Sequence, residues 1–187
     1  AHQFGVIEMG AGRPGDIAYL CELARPNVAV CLNASAAHLA NYSSVAAIAS
    51  AKGEIFEGLG AAGLAVLNAD EVWLPQWQRQ ASNARQITFG LAESADYRAV
   101  NIERGGLHGT RFSLHGPMGQ LSVTLRLAGD QHISNALASL AVAIELGVDP
   151  AVAANSVARV TPGAGRGLVS ARPQTGRVVD DSYNANP

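Results

Sequence analysis

The amino-acid sequence predicts an α/β fold: a mostly parallel sheet flanked by helices, with an antiparallel strand segment added over about residues 97–127. Two patterns carry that expectation. Early in the chain, short apolar runs alternate with stretches whose apolar residues recur every three or four positions, as the strand–helix–strand units of a parallel sheet require. In the middle, "YRAVNIE", "TRFSLHG" and "QLSVTLRL" alternate residue by residue and are parted by glycine-rich turns, the mark of antiparallel strands. Composition agrees with a buried core, since 48% of the 187 residues are apolar and only 15% charged.

Taken in order, "FGVIEM" reads as a buried strand and "GDIAYLCELA" as a helix with Asp16 in its first turn. "NVAVCLN" is a second strand. "SSVAAIASAKGEIFEGL" is a helix with Ser43 or Ser44 as N-cap, and "GLAVLNAD" is a third strand. After the antiparallel segment come helices over "HISNALASLAVAIELG" and "DPAVAANSVARV", the latter opening at Pro150. The "TPGAGRG" loop then leads to two strands, "LVSAR" and "GRVVDD", split by "PQTG". No linker-like stretch interrupts the chain, so a single α/β domain over 1–187 is expected.

Several function classes are disfavoured at once. A net charge of −2 gives no electrostatic footprint for nucleic acid or an anionic membrane surface. No apolar run reaches membrane-spanning length, and the first residues lack a basic region followed by a hydrophobic one. Cys21 and Cys31 lack CxxC spacing and sit among apolar residues, as buried reduced thiols of a cytoplasmic protein would.

Open α/β sheets bind ligands at the carboxyl ends of their strands. Here those ends carry Glu8, then Asn33 with His38 beyond it, then Asn68 and Asp70, then Asp180 and Asp181. Asp and Asn are also ordinary turn formers, so each residue alone has a structural explanation. Glu8 resists it, because a carboxylate interrupting a buried apolar strand is costly when unpaired. As a group they suit a hard divalent cation. Lys52 is the sole lysine among 13 basic residues and falls on the apolar stripe Ile48, Lys52, Ile55, Leu59. It is either a snorkelling lysine or an amine whose neutral form burial makes available.

"GAGRPG" at 10–15 fits the glycine pattern of a dinucleotide site and would make an oxidoreductase. Asp16 opposes this, because it puts negative charge where a pyrophosphate would bind. The following strand also ends on Asn33 rather than on a ribose-binding carboxylate. A phosphate loop of the form GxxxxGK followed by Ser or Thr is absent from these residues.

"VIEMGAGRPGDI", "AAHL", "SAKGEIFEGL", "LNADE", "SNALAS", "GRG" and "DDSYNANP" occur in the order seen in Mur ligases, and the sequence resembles the central ATPase domain of that family. "DDSYNANP" is the most specific piece. It points to the branch that joins D-alanyl-D-alanine to UDP-N-acetylmuramoyl-tripeptide in peptidoglycan precursor synthesis. The resemblance implies a P-loop-type central domain at 1–187, starting after the phosphate-loop strand and helix. A C-terminal domain would follow just after 187, with the N-terminal substrate domain lying elsewhere.

It also implies ATP as cosubstrate, Mg²⁺ at two sites, an acyl-phosphate intermediate and a bacterial cytoplasmic setting. Residue by residue, Glu8 and His38 resemble magnesium ligands, and Lys52 the lysine that becomes carbamylated and supports a metal. Asn135 resembles an adenine contact, Arg166 an arginine on the ATP phosphates, and Asp181 a carboxylate on the ribose. Tyr183, Asn184 and Asn186 resemble residues lining the nucleotide site. The sequence departs from the family at "AHLANYSS", where an acidic residue beside His38 is lost, and at "GDQH", which shifts Gln131 and His132. With the missing loop, these departures leave a second reading, a non-catalytic partner or degenerate paralogue that keeps the ligase fold.

Overall fold

The computed structural model describes residues 2–36, 41–166, 168–172, 176–180, 182 and 183. The chain divides into two compact units, Ala1–Asp96 and Tyr97–Pro187.

The first unit is built on three parallel strands, β1 (Val28–Cys31), β2 (Leu64–Asn68) and β3 (Arg85–Gly90), paired in that order. Val30 lies opposite Val66, which lies opposite Ile87. Every residue of β2 is buried, which is why "LAVLN" is apolar without alternation. Helices α1 (Asp16–Ala24), α2 (Val45–Glu57) and α3 (Leu74–Gln80) supply the covering layer. Ser44 caps α2, its hydroxyl accepting from the Ala47 amide at 3.1 Å. The core gathers Ala29, Ile48, Phe56, Ala65, Leu67 and Trp77. Trp77 is fully buried, and its indole N–H donates to the Ala49 carbonyl at 2.9 Å, tying α3 to α2.

The second unit contains an antiparallel meander, β4 (Tyr97–Arg104), β5 (Thr110–Gly116) and β6 (Gly119–Leu125). Thr110, Phe112 and Leu114 point inward from β5 while Arg111 and His115 are exposed, the alternation anticipated from sequence. Helix α4 (Asp130–Glu145) buries the stripe Ile133, Ala136, Leu137, Leu140 and Ala141. Helix α5 (Pro150–Val157) opens on proline, and Asp149 caps it by accepting from the amides of Ala151 and Val152. Strands β7 (Leu168–Arg172) and β8 (Gly176–Asp180) form an antiparallel pair in the same unit. The fold class stands as expected: a helix-flanked parallel sheet and an antiparallel segment close to the anticipated limits.

One strand expectation fails. "FGVIEM" forms no strand, and Phe4, Val6 and Ile7 are 62%, 100% and 63% exposed. A strand exists through its ladder, and among the described residues these backbone groups pair with no neighbouring strand. Two elements went unread. Helix α3 is seven residues of mostly polar character with Trp77 as its one fully buried side chain, and β3 begins with the polar pair Arg85–Gln86.

Candidate functional site

Helix α2 places Lys52 as its pattern requires. Ile48 and Leu59 are buried, Ile55 packs on the core, and Lys52 on the same stripe is half-buried. Its charge acts on two groups at the strand ends. Burial pushes the Cys31 thiol up to about 12, with Lys52 pulling in the opposite direction. Burial likewise raises the Glu71 carboxyl, against the Ala34 amide and Lys52, which favour the charged form. The lysine therefore lies near the end of β1 and the turn after β2, the edge where an open sheet binds its ligands.

Two other strand-end residues have a structural use. The buried Asn68 amide donates to the Leu32 carbonyl at 2.7 Å, and its oxygen accepts from the Asp70 amide at 2.9 Å. Asp70 accepts from the amides of Leu91 and Ala92 at 2.8 Å, closing the turn after β3. Both are turn formers.

Glu8 is exposed and lies in a segment without regular structure. The cost of burying a carboxylate in a strand, which singled it out, does not apply there. Among the described residues no three His, Cys, Asp or Glu side chains gather closely enough to hold a metal. His38, Asp181, Asn184 and Asn186 lie outside the described residues.

The glycine loop has its own occupant. The amides of Gly15 and Ala18, at the start of α1, donate to the Glu54 carboxylate at 2.9 and 3.1 Å. Asp16 accepts from the Arg13 amide at 2.9 Å and from its guanidinium at 3.1 Å. A pyrophosphate entering this helix end would meet two carboxylates, one of them already on the amides. Glu54 was not legible beforehand, since its partners lie 36 and 39 residues away.

In the second unit, Asn135 is exposed on α4 between the buried Ile133 and Ala136. Arg166 and Tyr183 are brought together from well-separated positions, with the guanidinium carbon 4.2 Å from the ring centroid. The Tyr183 amide donates to the Gly165 carbonyl at 2.8 Å, so backbone as well as side chain joins the loop to the turn.

Residues 1–143 match the Mur ligase middle domain. The chain is 38% identical, over 99% of its length, to the UDP-N-acetylmuramoyl-tripeptide–D-alanyl-D-alanine ligase of Escherichia coli K12, of which it covers 41%. It is 35% identical over 99% of its length to the ligase of the same name from Haemophilus influenzae, covering 40% of that protein. Among solved structures, MurF from Acinetobacter baumannii matches with a TM-score of 0.92 and 30% identity, over 99% of this chain and 40% of that one. MurF ligase from Thermotoga maritima in complex with ADP matches with a TM-score of 0.77 and 31% identity, over 95% of this chain and 40% of that one. The chain thus spans about 40% of the length of these relatives. With the Mur ligase middle domain matched across most of its residues, the chain belongs to that family.

Proposed function

We propose that this chain is the central part of an ATP-dependent ligase that joins D-alanyl-D-alanine to UDP-N-acetylmuramoyl-tripeptide, making peptidoglycan precursor in the bacterial cytoplasm. The observation that carries the proposal is the 38% identity, over nearly the whole chain, to a relative of that name. The pairing of Arg166 with Tyr183, and the position of Lys52 by the strand ends, support it from the structure.

The chemistry runs in two steps. The γ-phosphoryl group of ATP passes to the terminal carboxylate of the tripeptide, leaving ADP and an acyl phosphate. The dipeptide amine then attacks the acyl carbon, phosphate departs, and the nitrogen loses a proton to leave the amide. Arg166 supplies positive charge for the phosphates. Asn135 contacts the adenine, Asp181 the ribose, and Tyr183, Asn184 and Asn186 line the remainder of the nucleotide site.

Mg²⁺, at two sites, neutralises charge on the transferring phosphoryl group when bound. Its holders would be Glu8, His38 and carbamylated Lys52. Carboxylate, carbamate and imidazole make a donor set suited to a hard cation that keeps several waters. Carbamylation needs the neutral Lys52 amine: its nitrogen bonds to the carbon of CO₂ and releases a proton, turning a cation into an anion. Lys52 lies half-buried on the apolar stripe of α2.

The test is ATP-dependent phosphate release by the full-length protein, supplied with the tripeptide and dipeptide substrates. Turnover is expected, together with loss of all but a small residue of it in Lys52→Arg, because a guanidinium stays charged and cannot form the carbamate. Near-normal turnover by that variant would remove Lys52 from the mechanism. No turnover by the natural protein would favour the non-catalytic paralogue.

A further inference from the structure

The arginine loop and the tyrosine turn meet at one buried glycine. Gly165 is buried between the exposed Ala164 and Arg166, and its φ is +70°, in the left-handed region. Its carbonyl accepts from the Tyr183 amide at 2.8 Å. A Cβ at this position would lie 3.0 Å from the Tyr183 nitrogen, 3.1 Å from the Tyr183 Cβ and 3.2 Å from the Ser182 hydroxyl. Any side chain here would have to push the turn away.

The turn is fastened from its other end by Asp180. Its Oδ1 accepts from the Ser182 hydroxyl at 2.7 Å and from the Ser182 amide at 3.2 Å, while the Gly165 amide faces the same carboxylate. Both peptide groups of Gly165 are therefore directed at Asp180 and Tyr183. The next residue along the loop is Arg166, whose guanidinium rests on the Tyr183 ring. Stacked this way, the guanidinium gives up rotamer freedom before a ligand arrives, and its N–H edge remains available to an anion.

We propose that Gly165 and Asp180 are positioning residues that clasp the Arg166 loop to the Tyr183 turn and present guanidinium and ring to a nucleotide as one unit. The proposal rests on reading Arg166 and Tyr183 as nucleotide contacts. Its consequence is selective: loosening the clasp weakens the nucleotide site and leaves the other two substrates alone.

The experiment uses the full-length ligase, with ADP affinity measured by titration calorimetry and KM determined for each of the three substrates. Asp180→Asn and Gly165→Ala are each expected to weaken ADP binding about tenfold, the scale of a lost hydrogen bond to a charged group. KM for ATP should rise in parallel, with KM for tripeptide and dipeptide within about twofold of wild type. Ser182→Ala removes the 2.7 Å bond without touching the backbone, and provides a readout should Gly165→Ala fail to fold. In an Arg166→Ala background the added loss from Asp180→Asn should disappear, which a general destabilisation would not produce.

If Arg166→Ala and Tyr183→Ala weaken ADP binding while folded Asp180→Asn and Ser182→Ala do not, the clasp is overturned alone. Full additivity of Asp180→Asn with Arg166→Ala also overturns it. Unchanged ADP affinity in Arg166→Ala and Tyr183→Ala overturns the nucleotide reading, and the clasp with it.

Discussion

Cys31 shows what one buried residue contributes to pH behaviour. Its side chain ends β1, within the core that α2 covers, and burial outweighs the nearby Lys52 in pushing the thiol up to about 12. The thiol must therefore stay protonated in the folded chain at pH values where the unfolded chain has lost its proton. The sign follows from proton counting. Above the ordinary value of 9.0 the folded state binds more protons than the unfolded one, so stability falls as pH rises. That contribution is intact below pH 9 and is lost progressively toward 12. Chemical denaturation across this window should show wild type losing stability more steeply than Cys31→Ala, by up to about 1.4 kcal/mol per pH unit. Parallel slopes would mean that the thiol is not held protonated. At this scale the sequence was informative where a residue's oddity was local. The place of Lys52 on an apolar stripe could be read from spacing alone, and the side chain is half-buried there. The burial expected of Glu8 failed, because it depended on a ladder that the sequence cannot display. Glu54 stayed silent, because its partners are distant in sequence and near only after α1 and α2 have packed.

The packing of α2 on α3 turns on a glycine that helix propensity alone would reject. Gly53 sits inside α2, where alanine would be favoured by about 1 kcal/mol. A Cβ there would run into the amide of Gln80, which reaches across from α3 to donate to the Ser50 carbonyl at 3.1 Å and to Glu57 at 2.8 Å. The Gln80 side chain would have to swing out and release both bonds. Gly53→Ala should therefore be less favourable in wild type than in a Gln80→Ala background, by about 1 kcal/mol or more. Thermal or denaturant unfolding of the four-member cycle measures the difference, and a coupling near zero would show that the helices do not meet through this contact. Helices α2 and α5 were legible because apolar spacing and start signals coincide: Ser44 caps α2 and Pro150 opens α5, as the sequence suggested. Helix α3 was not, since one buried tryptophan in seven residues sets no period.

Across the whole molecule, the alternating and helical periods specify which strands are parallel and which antiparallel, and these emerge as anticipated. What escaped was the N-terminal stretch, whose composition says strand and which pairs with no strand among the described residues. Its consequence reaches beyond local structure. Phe4, Val6 and Ile7 present a run of apolar surface, and β1, at the edge of the first unit's sheet, carries backbone groups on its outer side that no described strand pairs. Removing such surface from water is favoured by roughly 25 cal/mol for each Å² buried, and a second copy can provide the cover. The 187-residue chain should therefore associate with itself as concentration rises. Sedimentation velocity over a concentration series measures this. A Val6→Asp, Ile7→Asp double variant should sediment as a monomer over the same range, because a pair of carboxylates in the contact would have to be desolvated without partners. Helical content should be unchanged in that variant, since neither side chain belongs to the core. A wild-type chain that stays monomeric throughout, or a variant that associates equally well, would show that this exposed segment does not drive association.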